Sequence, residues 1–174
     1  MVIVRTFGDA IVSQDLNREA WKKLSAEFKW TEELLTKYEE KVDWEMLSIN
    51  TAMLWTVSML EKFEGNIAWS SLSYWASESL LTIDIINRFA NNWDWHELSK
   101  NQNLKLSFAL LDNFADKWDW GCIINRWTCT DSIFTPEFFE RYKDFIPADA
   151  FMTSYLRGRL IELRMSELEQ LIVK

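Results

Sequence analysis

The chain has 174 residues, a net charge of −8 at neutral pH and 48% apolar residues, eleven of them tryptophan. This length fits one domain with a sizeable core, and the acidity makes the phosphate backbones of nucleic acids poor partners. Four glycines and two prolines supply little of the turn chemistry of an all-β fold, so the composition favours helices.

The first 27 residues do not follow the pattern of the rest, and we expect them to form an N-terminal cap. Residues 1–6 are rich in β-branched side chains and, together with residues 7–12, predict a small strand–turn–strand. Because a lone two-stranded ribbon is marginal in water, it would pack on the rest of the chain or pair with a partner strand; we favour the first. Ser13 or Asp15 then begins a helix that runs to Phe28.

Residues 28–151 contain five copies of one pattern, whose starts are separated by 25, 26, 25 and 28 residues. Apolar residues recur at offsets 0, 4, 5, 8 and 12 from each start, which trace one face of a helix of roughly ten to twelve residues. A hydroxyl residue follows each start and is expected to cap that helix. The starts are Trp30, Trp55, Leu81, Leu106 and Phe134, and the caps are Thr31, Thr56, Thr82, Ser107 and Thr135.

A shorter helix is predicted after each of the first four long ones. Asp43, Asp94 and Asp119 are expected N-caps, and an apolar residue three positions after each tryptophan shares its face. We expect these tryptophans to be buried in the core and in contact with Phe63, Phe89 and Phe114 at offset 8. The tryptophans are Trp44, Trp69, Trp95 and Trp120.

One such helix pair cannot bury its own apolar face, but stacked pairs form a continuous core. The sequence therefore predicts an all-α fold: a short helical-repeat solenoid of about five units of roughly 25 residues, with the small β ribbon at its N-terminus. Residues 152–174 carry an apolar stripe and predict an amphipathic helix. That helix either caps the repeats or forms a homodimer, and we favour the cap.

The runs from Lys41 to Asn50 and from Trp93 to Asn101 resemble the DWxxLSxN repeats of tryptophan-rich short helical repeat proteins from bacteria, bacteriophages and large DNA viruses. The resemblance covers residues 28–151 and implies a helical repeat fold and a phage or viral source. It carries over no catalytic residue. Ala68 in place of the aspartate and Ile123-Ile124 in place of Leu-Ser depart from the pattern.

No motif for phosphate binding, zinc proteolysis, serine hydrolysis or calcium binding is present, so we predict that the protein is not an enzyme and has no cofactor. His96 is the only histidine, and its position beside Trp95 favours a structural role. Cys122 and Cys129 lack metal-ligand spacing, which predicts free thiols and no metal site. With no signal peptide and no apolar segment of spanning length, we expect a cytoplasmic protein that does not enter the membrane.

Candidate binding residues are those where the repeat is broken. Twenty residues after the unit starts lie Asn50, Trp75, Asn101 and Arg126. Trp75 and the Arg126-Trp127 pair introduce the side chains most enriched at interfaces, although they could also pack against a neighbouring unit. We predict that at least one ring is exposed and that Arg126 lies close enough to bind a carboxylate.

Three functions stay open at the level of sequence. The first is a protein-interaction module, acting as a scaffold, adaptor or occluding inhibitor, with a host factor as the target of a phage or viral protein. The second is a small-molecule or nucleotide-sequestering protein that uses the rings of Trp75 and Trp127, but Arg126 is the only adjacent cation. The third is a nucleic-acid mimic built on the six acidic residues of positions 31–54, which lysines interrupt.

Overall fold

A computed structural model describes residues 7–126 and 132–173, and throughout this part of the chain the regular structure is α-helix. The predicted all-α class is confirmed. The chain divides into two compact units, Met1–Leu80 and Leu81–Lys174, with the division between the second and third predicted repeats.

The first unit contains one long helix and four short ones, and α3 packs on α1 and on α5. Its helices are α1 (Phe7–Glu27), α2 (Glu32–Tyr38), α3 (Trp44–Ser48), α4 (Val57–Lys62) and α5 (Trp69–Trp75).

The second unit continues the alternation and ends in a long helix, with α7 packed on α9 and α11 on α12. Its helices are α6 (Ile83–Arg88), α7 (Trp95–Lys100), α8 (Phe108–Asn113), α9 (Trp120–Ile123), α10 (Pro136–Tyr142), α11 (Ala148–Met152) and α12 (Tyr155–Ile172).

The predicted N-terminal ribbon is wrong where the structure describes it. Residues 7–12 form the first turns of α1, so the helix begins well before Ser13, and residues 1–6 lie outside the described part. A helix satisfies its backbone hydrogen bonds within one segment, whereas a two-stranded ribbon leaves an unpaired group on each edge. Local hydrogen bonding therefore outweighs the β-branched composition here.

The predicted caps are confirmed at all five unit starts. Each hydroxyl accepts the backbone N–H three residues later, and Asp43, Asp94 and Asp119 do the same for α3, α7 and α9. Ala68 makes no such bond for α5. Side-chain oxygens thus satisfy amide groups that the short helices cannot pair themselves.

The unit helices are shorter than predicted, six or seven residues instead of ten to twelve. After the offset-8 ring the backbone leaves helical geometry, as at Phe63 and Phe114. An i→i−4 bond still spans the turn, since Ile67 N donates to Phe63 O (3.2 Å) and Trp118 N to Phe114 O (3.3 Å). The offset-12 residues therefore stay buried without being helical.

The tryptophans that begin the short helices share one anchoring bond. Each indole Nε1–H donates to the carbonyl five residues earlier, for example Trp95 to Ala90 (3.0 Å) and Trp120 to Ala115 (2.8 Å). Trp120 is buried as predicted, but Trp44, Trp69 and Trp95 are half-buried, so the predicted burial is wrong for three of the four. Rings still contact each other between neighbouring repeats, with the Trp95 and Phe114 centroids 4.9 Å apart.

Buried serines link α3 to α5 and α7 to α9 in the same way. Ser48 Oγ donates to Trp44 O (2.7 Å) and accepts the N–H of Ala68 (3.1 Å), where α5 begins. Ser99 makes the same pair of bonds with Trp95 O (2.6 Å) and Asp119 N (3.0 Å). One hydroxyl thus satisfies two backbone groups in the interior.

The end of α1 belongs to this series, although the sequence predicts a separate N-terminal cap over residues 1–27. Ser25 donates to Trp21 O (2.8 Å), accepts Asp43 N (3.0 Å) and is fully buried. The segment Trp21-Lys22-Lys23-Leu24-Ser25 has the tryptophan-to-serine spacing of the later short helices. That spacing was the signal by which the relationship could have been found.

Candidate functional site

Two exposed aromatic rings lie together at the end of α5. Trp75 is 50% exposed and Tyr74 is 41% exposed, with ring centroids 5.1 Å apart in an edge-to-face arrangement. Trp75 is the one tryptophan classed as exposed in the described ranges. The prediction that at least one ring of the site is exposed is confirmed.

The position of this pair follows from local structure. α5 packs on α3, and its buried residues are Leu72 and Ser73. It extends two residues past that serine, whereas α3 ends at Ser48. Tyr74 lies about 100° around the helix from the buried Ser73. Trp75 is the last residue of the helix, where the chain leaves α5 at the C-cap Ala76. Tyr74 and Trp75 consequently lie on the solvent side of the last turn.

Arg126 does not lie at the surface, contrary to the prediction that it could bind a carboxylate there. It is 1% exposed, and its Nη2 donates to the carbonyl of Leu104. Asn50, at the same offset, donates to Phe28 O (2.9 Å), also 22 residues earlier. Offset 20 therefore holds a donor for the carbonyl two residues before the start of its repeat, which explains the burial of Arg126.

The remaining predicted site residue, Trp127, lies outside the described residues, as does Cys129. The structure accordingly brings together Trp75 and Tyr74, and it assigns Arg126 to packing. Sequence reasoning missed Tyr74 because tyrosine fits many environments and no repeat column flagged it. That this surface binds a partner stays a prediction.

The acidic segment of residues 31–54 is largely engaged in bonds within its own unit. Asp43 caps α3, Glu39 accepts from Asn66 Nδ2 (2.7 Å), Glu32 pairs with Lys62 Nζ (3.4 Å), and Glu45 accepts from Ser71. Glu32, Glu39 and Glu45 thus bridge to residues of the following repeat, and Asp43 caps its own helix.

A cluster of three chemically reactive side chains lies on the α7–α9 surface. His96 Nδ1 is 2.6 Å from Asp119 Oδ2 and 3.9 Å from Cys122 Sγ. Burial, followed by the charge of Asp119, raises the pKa of Cys122 to about 11. Burial alone would raise the pKa of Asp119, but hydrogen bonds from Cys122 N–H and His96 hold it below its ordinary value.

This cluster lacks the arrangement of a cysteine–histidine–aspartate triad. In a triad the nucleophile and the carboxylate contact different nitrogens of the imidazole, so that the ring can relay a proton between them. Here the thiol and carboxylate approach the same nitrogen, Nδ1, and the raised pKa keeps the Cys122 thiol protonated. An activated nucleophile needs the opposite shift.

An open groove of about 380 Å³ lies beside α1, lined by Trp21, Lys41 and the basic residues Arg18 and Lys22. Arg18 pairs with Asp15 and Glu19, and Lys22 pairs with Glu19 (3.8 Å). The charges of Arg18 and Lys22 are thus offset within α1, whereas Lys41 Nζ lies 5.5 Å from the centroid of the Trp21 ring.

None of the helices in the described ranges combines the length and apolar character that crossing a bilayer requires. Comparison of the chain with protein-family models, with curated proteins and with solved structures finds no match. The resemblance to tryptophan-rich repeat proteins therefore stays a prediction.

Proposed function

We propose that the protein is a non-enzymatic interaction module, a scaffold, adaptor or occluding inhibitor, that binds another protein through the Tyr74–Trp75 pair. The observation that carries this proposal is the 50% exposure of Trp75 in a chain whose other described tryptophans are buried or half-buried. Exposing an indole forgoes apolar burial that folding would otherwise gain. A binding role compensates for that loss.

The pair has the properties of an interface anchor. Trp and Tyr are enriched among residues that dominate binding energy, and both combine a large apolar face with a polar edge. The edge-to-face contact of Tyr74 and Trp75 restricts both rings before binding, which reduces the entropy that a complex must offset. A protein surface with a pocket for one indole fits this geometry.

The same contacts favour this function over the two alternatives. Nucleotide sequestration needs a cation for the phosphates, and Arg126 is buried against Leu104 O. A nucleic-acid mimic needs exposed, regularly spaced carboxylates, and Asp43 and Glu39 are bonded within the unit. The geometry at His96 supports a non-enzymatic role as well. If the protein is of phage or viral origin and cytoplasmic, as the sequence predicts, its partner is a host protein.

The proposal is tested by comparing partner capture by wild-type protein, Trp75→Ala and Leu16→Ala. Leu16 is a matched control because it is 65% exposed and lies on α1 of the same unit. We expect a stoichiometric partner that wild type and Leu16→Ala retain and Trp75→Ala loses. In a titration with that purified partner, Trp75→Ala should weaken affinity by about 2 kcal/mol or more, as for an anchor residue.

Circular dichroism and the thermal midpoint should be nearly unchanged in Trp75→Ala, because the ring is half exposed. Equal retention of the partner by all three proteins would contradict the proposed surface. A large loss of stability with unchanged affinity would assign Trp75 to the core.

A further inference from the structure

The stacking of short helices brings two defined positions together. One is the position directly after the tryptophan of a short helix. The other is the position two residues after the tryptophan of the short helix that packs on it. In the first unit these are Glu45 of α3 and Ser71 of α5, which are hydrogen-bonded. In the second unit the same positions hold His96 of α7 and Cys122 of α9. The N-cap of α9, Asp119, joins them.

One ligand atom from each of His96, Asp119 and Cys122 lies within 4.8 Å of the others. The carboxylate is oriented, because its Oδ1 accepts the Cys122 N–H (3.0 Å) and leaves Oδ2 directed to the cluster. Gly121 leaves room for this carboxylate, since a Cβ there would lie only 3.2 Å from Oδ1. Backbone and capping geometry thus aim the Asp119 carboxylate at the cluster.

We propose that His96, Asp119 and Cys122 form a zinc-binding site. Ligand atoms around tetrahedral zinc lie roughly 3.3–3.7 Å apart, given bonds of about 2.0–2.3 Å. The 3.9 Å from imidazole to thiol is close to that spacing, and the 2.6 Å from imidazole to carboxylate opens by under about 1 Å when His96 rotates. His96 can rotate, since its side chain is 57% exposed.

The donor set selects zinc over other common ions. Calcium and magnesium prefer oxygen ligands, whereas an imidazole, a thiolate and a carboxylate together suit zinc. Three protein ligands leave the fourth position for water or for a group from a partner. The bond from Cys122 N–H to Asp119 Oδ1 holds the carboxylate in place, as outer hydrogen bonds do for metal ligands. This site is independent of the aromatic pair on α5.

The test is metal titration of the full chain, purified with a chelator and then freed of it. Isothermal titration should show one zinc ion per chain. Cobalt, used as an optical substitute, should give the tetrahedral absorption bands together with a cobalt–thiolate charge-transfer band. Cys122→Ala, His96→Gln and Asp119→Asn should each weaken zinc binding at least about tenfold.

Cys129→Ser is the matched thiol control and should leave both the affinity and the thiolate band unchanged. Asp119→Asn keeps a capping oxygen, so circular dichroism should remain that of the wild type. As a measurement that needs no variant, zinc should protect Cys122, located by peptide mass mapping, from alkylation. Absence of stoichiometric zinc binding would overturn the proposal. So would binding that ignores the three variants, or a thiolate band that depends on Cys129 alone.

A separate observation concerns α12, which has apolar side chains on two opposite faces. Leu156 is fully buried, and Leu160 and Leu163 on the same face are half-buried. The opposite face carries four side chains that are 42–83% exposed: Ile161, Met165, Leu168 and Ile172.

The exposed residues of α12 are spaced 4, 3 and 4 apart, which is the d-a-d-a pattern of a coiled coil. In that register Arg157 and Arg164 take g positions, and Glu162 and Glu169 take e positions. A parallel pair then places each arginine opposite a glutamate of the partner, whereas an antiparallel pair opposes like charges. We infer that a second copy of this chain covers this face as a parallel two-stranded coiled coil.

Sedimentation equilibrium tests this dimer. Arg164→Glu should raise the dissociation constant about tenfold, because it turns two attractive contacts per dimer into repulsive ones. The double variant Arg164→Glu with Glu169→Arg should restore it, and Gln170→Glu, at an f position, should leave it unchanged. A monomer throughout the concentration series, or a dimer unaffected by Arg164→Glu, would overturn the inference.

Discussion

The step from α7 to α9 and the step from α9 to α11 each lead from a short helix capped by an aspartate to the next short helix. Different contacts join the two helices at each step. At the first, Ser99 is buried and accepts the N–H of the next N-cap, Asp119 (3.0 Å). At the second, the serine position holds Ile124, fully buried, and the next N-cap is Pro147. α9 and α11 are close there, since a Cβ on Gly121 would lie 3.8 Å from that of Ala150.

The difference follows from one backbone group. Proline has no N–H, so the fifth unit presents no buried donor, and the residue facing it need not carry an acceptor. An isoleucine then contributes apolar burial where a serine would leave its hydroxyl unused. What looked in the sequence like a loosened repeat at Ile123-Ile124 is a matched change at two distant positions.

The largest expected effect concerns the tryptophans of these two steps, Trp95 and Trp120, and their contributions to the free energy of unfolding. Trp120→Ala should lower the free energy of unfolding by about 3–5 kcal/mol, because the ring is 5% exposed and stacks on Tyr142 at 4.7 Å. Trp95→Ala should cost less, since Trp95 is half-buried. Urea unfolding of both variants measures the order, and a larger loss for Trp95→Ala would contradict it.

Removing the Ser99 hydroxyl removes the hydrogen bond that joins α7 to the N-cap of α9. Ser99→Ala leaves the Asp119 N–H without its acceptor and should cost about 1–3 kcal/mol. Ser48→Ala should act similarly through Ala68 N. Ser58 is exposed, so Ser58→Ala is the control and should stay within about 0.5 kcal/mol of wild type in the same urea experiment. Near-neutral Ser99→Ala would show that water replaces the hydroxyl.

Local chemistry made the helix starts predictable. Thr31 and Asp43 act on amides three residues away, so the sequence alone indicates their role. The meeting of His96 with Asp119, 23 residues later, depends on how one short helix stacks on the next. The burial of Arg126 depends on a carbonyl 22 residues earlier. To predict such contacts one needs the rise and rotation from one repeat to the next. The spacing of the repeated residues along the sequence does not give these quantities.

Supplying the side-chain N-cap that α5 lacks should stabilise the protein. α5 begins at Ala68 without a side-chain cap, although its backbone angles (φ −77°, ψ 82°) resemble those of Asp94 (φ −77°, ψ 102°). Ala68→Asp should therefore stabilise the protein by about 0.5–1 kcal/mol, and Ala68→Asn by a similar amount. The thermal midpoint measures it. Destabilisation by both variants would mean that the carboxylate cannot reach Ser71 N.

The smallest expected effect concerns a charge network between α8 and α10. Arg141 donates to both oxygens of Asp112, and Tyr142 Oη donates to Oδ1 (2.8 Å). The bond from Arg141 lowers the pKa of Asp112 below 3.8, while burial opposes that shift. A carboxyl with a depressed folded pKa stabilises the fold above its unfolded pKa and loses that contribution as pH falls through the folded value.

Wild type should therefore lose slightly more stability than Asp112→Asn as the pH is lowered from 6 toward 3, about the range in which carboxyls titrate. The difference is modest, because both Arg141 and Asp112 are substantially exposed and water screens their interaction. Thermal midpoints recorded at each pH test it, with Asp116→Asn, at an exposed residue of the same unit, as the control. Parallel curves for wild type and Asp112→Asn would show that the ion pair contributes nothing measurable, leaving the Phe108–Tyr142 ring contact to hold α8 and α10 together.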